Sequence, residues 1–173
     1  MSTPERFKVR RADESDAAAI IELRRALFTE TSFMLWEPGE FQESVEEEAK
    51  RISRLNARDN CLMLLAEEDG HPIGTLTAYG GEPRRTRHRV TLAVGVARAH
   101  WGKGVATAML EFTLRWSRET QLRRVELTVH TTNQRAIAAY KRCGFQVEGV
   151  RQSSLIVDEK YVDEYLMAII NDF

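Results

Sequence analysis

A chain of 173 residues, 43% of them hydrophobic, is long enough for one domain with a substantial core and short for two. Its 25 Lys and Arg against 26 Asp and Glu leave a formal charge of -1, which gives no global field for a nucleic acid or an anionic membrane. Two cysteines, Cys61 and Cys143, lack C-x-x-C spacing, so no disulfide framework and no metal site is expected.

The N-terminal MSTPERFKVR has no apolar leader core. The longest apolar run, Cys61 to Ala66, falls far below the roughly 18 residues that span a bilayer, so a cytoplasmic protein without a membrane partner is expected. Phe7 and Val9 alternate with Lys8 and Arg10 as a short first strand. Asp13 or Ser15 then caps a helix running through Ala19, Ile20, Leu23 and Leu27.

The helix loosens from Thr29 to Glu40, where Phe33, Met34, Leu35 and Trp36 mix with Glu30 and Glu37. Acids among aromatics would receive an amine-bearing substrate; equally, the aromatics would pack the helices on a sheet and leave the acids solvated. Pro38-Gly39 punctuates this segment before a second helix of about four turns. Asn60 to Glu67 reads as a strand, Glu68-Asp69-Gly70 as a hairpin turn and Pro72 to Tyr79 as the returning strand. The loop GGEPRRTRHR, from Gly80, is rich in arginine, either a phosphate contact or a solvated hairpin loop.

Val90 to Val96 is a β-branched strand, followed by Gly102-Lys103-Gly104 and a helix carrying Val105, Met109, Phe112 and Trp116 at helical spacing. Glycines at such a turn let main-chain N–H groups approach a phosphate, and the helix N-terminus adds unpaired donors. A plain turn has the same appearance. The dinucleotide fingerprint fits poorly, because Thr107 stands at its third glycine, and the P-loop fails because Gly104 follows Lys103.

Arg124 to His130 is a further strand with Glu126, Thr128 and His130 on one face. Strand, helix and strand make a right-handed crossover and a parallel pair. Asn133 caps the next helix, which stops at Gly144, and Phe145 to Val150 and Tyr161 to Ile170 close the chain around a polar turn at Asp158 to Lys160. The expected architecture is a single α/β domain over residues 1–173, with a mixed, mostly antiparallel sheet.

Two blocks now acquire a common meaning. Trp101-Gly102-Lys103-Gly104-Val105-Ala106 resembles the signature "Gln or Arg, two residues, Gly, one residue, Gly or Ala" of the GNAT superfamily of acyl-CoA-dependent N-acyltransferases. Asn133, Ala136, Ile137, Tyr140 and Cys143-Gly144-Phe145 resemble its second block, in the family's order and spacing. Trp101 departs from the usual Gln or Arg, as aromatic residues do in members similar to ribosomal-protein and small-molecule amine acetyltransferases.

The resemblance implies a sheet whose strand Val94-Gly95-Val96 splays from its parallel neighbour, with helices on both faces and the pantetheine arm of acetyl-CoA lying as a pseudo-strand in the gap. It places the pyrophosphate on the N–H groups of Gly102 to Ala106, with Lys103 and Trp101 in the same turn and Asn133 beside the cosubstrate. It makes Tyr140 the general acid to the leaving thiol and the N–H of Val96 the donor to the thioester carbonyl. The strand before the glycine turn carries none of the carboxylate that serves histone-acetylating relatives as base. Glu30, Glu37, Glu126, His88 and His130 are the open candidates.

The implied reaction is acetyl transfer to a primary amine, of a small amine or amino acid first and a peptide N-terminus second. Acidic residues at the mouth favour a cationic amine, Phe33 and Trp36 an apolar side chain. The missing strand carboxylate leaves open a module that binds acyl-CoA without turnover. An exposed sheet edge near the C-terminus offers a surface for homodimer pairing.

Overall fold

A computed structural model describes residues 7–173; the first six residues of the stretch read for a leader lie outside the described residues. One seven-stranded sheet organises the chain. In chain order the elements are β1 Lys8–Arg11, α1 Ala17–Glu30, α2 Val45–Asn56, β2 Leu62–Glu68, β3 His71–Gly80, β4 Arg89–Val96, α3 Val105–Glu119, β5 Arg124–His130, α4 Gln134–Arg142, β6 Gln146–Val157 and β7 Lys160–Ile170. The strand order is β1-β2-β3-β4-β5-β7-β6, antiparallel throughout except for the β4–β5 pair.

Helices cover both faces, which explains why β2 is a continuous apolar run rather than an alternating one. Leu62, Leu64 and Ala66 point into a cluster with Met109 and Leu110 of α3. Met63 and Leu65 point the other way, among Ile20, Leu23 and Leu27 of α1 and Ile52 of α2.

Local chemistry starts the helices where the sequence signals them. Asp13 accepts from Ser15 N while Asp16 accepts from Asp13 N, a reciprocal box on the short 3-10 turn that feeds α1. Ser44 and Glu47 repeat the device at α2, which is twelve residues long against the four turns expected, because the chain from Thr31 to Glu43 stays in turns and extended backbone. The two helices are tied through Glu48, fully buried, which accepts from Arg24 of α1 at 2.8 Å and from Arg51 at 2.6 Å. Arg51 also donates to the Tyr79 hydroxyl on β3. Burial pushes the Glu48 carboxyl up, to about 7, against the pull of Arg24.

β6 runs seven residues beyond the Val150 expected as its end. The polar Arg151-Gln152-Ser153-Ser154 forms a bulge between two stretches of ladder with β7. Ser153 sits at φ 48°, and its N–H is satisfied by the Asp163 carboxylate at 2.8 Å, so pairing resumes at Leu155.

The β6–β7 hairpin turns on Asp158 and Glu159, both left-handed, at φ 48° and 62°. That is the backbone for which Asp-Gly is favoured. A left-handed non-glycine residue costs roughly 1–2 kcal/mol, partly offset by the roughly 0.5–1 kcal/mol entropic cost of glycine. Glu159→Gly is therefore expected to stabilise the protein by about 0.5–1 kcal/mol, read as a higher urea midpoint at unchanged slope.

Candidate active site

The parallel ladder between β4 and β5 is three pairs long, Arg89 with Arg124, Val90 with Val125 and Thr91 with Glu126, and then stops. β4 continues to Val96 paired with β3 alone. A cavity of about 650 Å³ opens in the resulting gap, lined on one side by Leu92 to Val96 and on the other by Thr128 to His130. Ala97 N donates to Ile73 O of β3. Amides of successive residues on a strand face opposite edges, so Val94 and Val96 turn theirs toward the gap. Unpaired donors and acceptors on a strand edge invite an extended, amide-bearing ligand.

The glycine turn lies at one end of this gap. Gly102 and Gly104 are left-handed, at φ 75° and 86°, which is why glycine stands there, since a Cβ at either would meet nothing within 4 Å. Gly104 gives α3 no side-chain cap, and no acidic residue occupies the helix's first turn. The first-turn N–H groups and the positive dipole end are thereby left for an anion. Gly102, Gly104, Val105 and Ala106 line the cavity; Lys103, between them, is exposed and is not among the lining residues.

Trp101, at the signature position usually held by Gln or Arg, donates its indole N–H to Val96 O at 2.7 Å. The Arg135 guanidinium lies 3.5 Å over its ring and that of Arg98 5.7 Å from it. Arg135 comes from α4, whose cap is Asn133, accepting from Ala136 N at 3.3 Å. Asn133, Arg135 and Tyr140 of this helix reach the cavity. Tyr140 is 9% exposed and packs edge-on to Phe145, with centroids 5.8 Å apart. Burial pushes its hydroxyl up to about 12, so it stays protonated and acts as a donor across the neutral range.

On the opposite face of the sheet, Phe33, Met34 and Leu35 from the segment after α1 complete the wall. The Phe33 ring stands edge-on to His130 at 5.4 Å. His130 is 5% exposed, and its Nε2 has no hydrogen-bond partner among the described residues. Burial lowers its pKa while the nearby Glu164 carboxylate raises it, and the net direction is down. Glu164 lies directly across from His130 on β7, accepts from Ser154 Oγ at 2.5 Å and has Arg151 Nη1 at 4.0 Å.

The other carboxylates considered from the sequence stand elsewhere. Glu30 accepts from Arg98 N at 2.7 Å, bracing the turn after β4. Glu126 is held by Arg124 at 2.5 Å and by Thr91 Oγ1 at 3.3 Å, within the ladder rather than in the gap. Glu37 is exposed, and its N–H bonds to the Glu40 carboxylate. Trp36 is 47% exposed on the outer side of the linking segment. His88, also exposed, contributes its carbonyl to Arg124 N at the start of the ladder. The run Asp158 to Glu164 resembles that of family members acting on free amino acids, polyamines or protein N-termini, but Glu164 is not singled out within it by sequence, and neither Arg151 nor Ser154 is marked at all. The alternation of Tyr161 to Ile170 was the available signal, but only the β5–β7 register sets Glu164 beside His130.

No helix of the described residues is long and apolar enough to cross a membrane, and no group of three or more His, Cys, Asp or Glu among them is placed to hold a metal ion.

Comparison with known proteins bears on the same elements. The profile of the Acetyltransferase (GNAT) family matches residues 20–145, from α1 to the end of the second signature block. The chain is similar to the L-amino acid N-acetyltransferase AaaT of Escherichia coli (strain K12), at 34% identity over 119 residues, 66% of this chain and 72% of that one. Its fold superposes on a GNAT-family acetyltransferase from Streptococcus pneumoniae with a TM-score of 0.93 and 28% identity, covering 95% of this chain and 99% of that one. It also superposes on the yncA protein of Salmonella typhimurium, solved with its cofactor acetyl-CoA, with a TM-score of 0.81 and 22% identity over 96% of this chain and 95% of that one. With both signature blocks on the walls of one cleft and the match running through most of its length, the chain belongs to the GNAT family of acetyltransferases.

Proposed function

We propose that the protein transfers an acetyl group from acetyl-CoA to the primary amine of a small molecule, an amino acid in the first instance. The observation that carries this reading is the gap beyond Thr91 and Glu126, where the amides of Val94 and Val96 face open space between an uncapped helix N-terminus and Tyr140. The residues present fit acetyl-CoA: the turn from Gly102 to Ala106 would hold the pyrophosphate, and the edge of β4 would pair the amides of the pantetheine arm. When bound, acetyl-CoA supplies a thioester whose carbonyl is open to an amine.

The chain's own groups then divide the work. The Val96 N–H donates to the oxygen on which charge develops. Tyr140 donates its O–H toward the sulfur as the C–S bond breaks. With its hydroxyl at about 12, Tyr140 is a weaker acid than a thiol of about 8.5, so it acts first as a hydrogen-bond donor and yields the proton only as charge gathers on sulfur. Phe33 and Met34 give the acceptor side an apolar wall. Glu164 and Arg151 line the same end of the cavity with opposite charges, complementary to the ammonium and carboxylate of an amino acid. A relative that is by name an L-amino acid N-acetyltransferase supports the same class.

Two measurements test this reading. Free thiol release from acetyl-CoA, followed while amino acids, polyamines and peptides are offered, is expected to show turnover with amino acids. Tyr140→Phe is expected to lower kcat by about 10²-fold or more with little change in CoA affinity. Tight CoA binding with no turnover on any amine would replace the enzyme by a binding module. Gly104→Asp sets a carboxylate at the helix N-terminus and a side chain on a left-handed residue, and is expected to abolish CoA binding measured by calorimetry. Unchanged affinity in a folded variant would remove the phosphate cradle from the account.

A further inference from the structure

The sheet carries one row of groups to which the reaction above gives no part in proton transfer. Four residues on from the last β4–β5 pair, Gly95 of β4 comes level with His130 of β5. Across β7 the register continues from His130 to Glu164, and across β6 from Glu164 to Arg151. All four stand at one level of the sheet, on the side of α1: a Cβ at Gly95 would meet Leu27 Cδ1 of that helix at 2.6 Å, and His130 meets Phe33 just beyond it. Tyr140 belongs to the opposite face, in the cluster that takes the alternate β5 residues Val125, Leu127 and Val129. The gap is thus flanked by Tyr140 on one face and by His130 on the other.

We propose that His130 is the general base, taking the proton of the acceptor amine on Nε2, and that Glu164 is its positioning residue. The inference rests on the acetyl-transfer reading and adds to it the group that the β4 strand lacks. An amine entering from the α1 side meets His130 before it meets the thioester. The ammonium proton passes to the imidazole, and the freed nitrogen lone pair forms the C–N bond as the C–S bond breaks. The sulfur receives its proton from Tyr140, which recovers one from solvent; the proton on His130 and the remaining amine proton pass to solvent, so the net products are the N-acetyl amine, CoA thiol and one released proton.

Three observations converge on His130 rather than on the carboxylates. Its Nε2 is buried with no hydrogen-bond partner among the described residues, a cost that an amine would relieve. Glu30 and Glu126 are already committed to Arg98 N and to Arg124 and Thr91. Its surroundings keep it neutral and ready to accept: Phe33 covers it from the segment after α1, β4 presents only Gly95, and Glu164 of β7, itself beside Arg151 of β6, is the facing charge. Burial outweighs that carboxylate and holds the imidazole below its usual range, so it is neutral at pH 7.

The test uses the whole protein. In NMR titration without acetyl-CoA, the His130 ring is expected to titrate below about 6.5, and lower still in Glu164→Gln, where the charge that raises it is gone. A ring that titrates above 6.5, or that Glu164→Gln does not move, overturns the assignment. With acetyl-CoA and the best amino-acid acceptor, His130→Gln is expected to lose about 10²-fold in kcat at pH 7, and the deficit is expected to shrink toward pH 9.5 as solvent takes over deprotonation. A deficit below threefold, or one constant across pH in a variant that still binds CoA, gives His130 a structural role only. Should His130→Gln not fold, the acid limb of the kcat profile in Glu164→Gln decides, a downward shift supporting the base and an unmoved limb removing it. Absence of turnover in the unaltered protein overturns the acetyl-transfer reading itself, whatever the His130 titration shows.

Discussion

The parallel ladder that stops at Thr91 and Glu126 is the constraint on which the site depends. A strand buried in a sheet normally satisfies both of its edges, because unpaired main-chain groups away from water are costly. β4 satisfies one edge along its full length through β3 and leaves the other open beyond its third pair. The flanking elements keep the opening from closing. β5 is held straight by seven register pairs with β7, and β4 by seven with β3, so neither strand is free to bend toward the other. Both are anchored below in the one apolar cluster that holds Val90 and Leu92 of β4 and Val125, Leu127 and Val129 of β5, which makes the gap a property of the whole sheet.

Opening a sheet at its centre also joins its two faces. The α3–α4 side contributes the uncapped helix end and Tyr140; the α1–α2 side contributes the apolar segment around Phe33 and the row of His130, Glu164 and Arg151. The fully buried Glu48, clasped by Arg24 and Arg51, ties the second pair of helices together and reaches β3 through Tyr79. Such a pair is a weak source of net stability because both partners are desolvated, but losing one partner would leave the other uncompensated. Its consequence is geometric: α1, and with it the Phe33 segment, is held at a fixed height over the gap.

The parts of this arrangement that obey local rules were readable from the chain. Strand alternation gave β5 at its observed limits, Asn133 capped α4, and the two signature blocks led to the splayed pair, because each reports backbone chemistry within a few residues. The expected strand ended at Val150, short of the bulge, because the bulge at Ser153 is made by Asp163, ten residues away. Glu126 and His130 share a strand face and looked equivalent in the sequence. They differ only because the ladder ends between them, leaving Glu126 bound to Arg124 and His130 facing the cavity. Nothing local separates Glu164 from the other acids of the run Asp158 to Glu164; its place beside His130 comes from register with a strand more than thirty residues earlier.

Trp101 shows how a departure from a family pattern is absorbed. Where Gln or Arg would offer a polar side chain, the indole closes back on Val96 O, removing an acceptor from the open edge while leaving the Val96 N–H. A neutral hydrogen bond of this kind contributes about 1 kcal/mol, and a cation over an indole face about 0.5–2 kcal/mol. Together they are comparable with one charged contact to a phosphate. The stack carries Arg135 from α4 across to the turn after β4, so the two signature blocks touch through a guanidinium and a ring. The positive charge that an Arg at position 101 would carry is thereby returned to the same end of the cleft by Arg135, with Arg98 also near the ring. The departure changes which side chain carries the charge and keeps the charge itself where an anion meets the helix end.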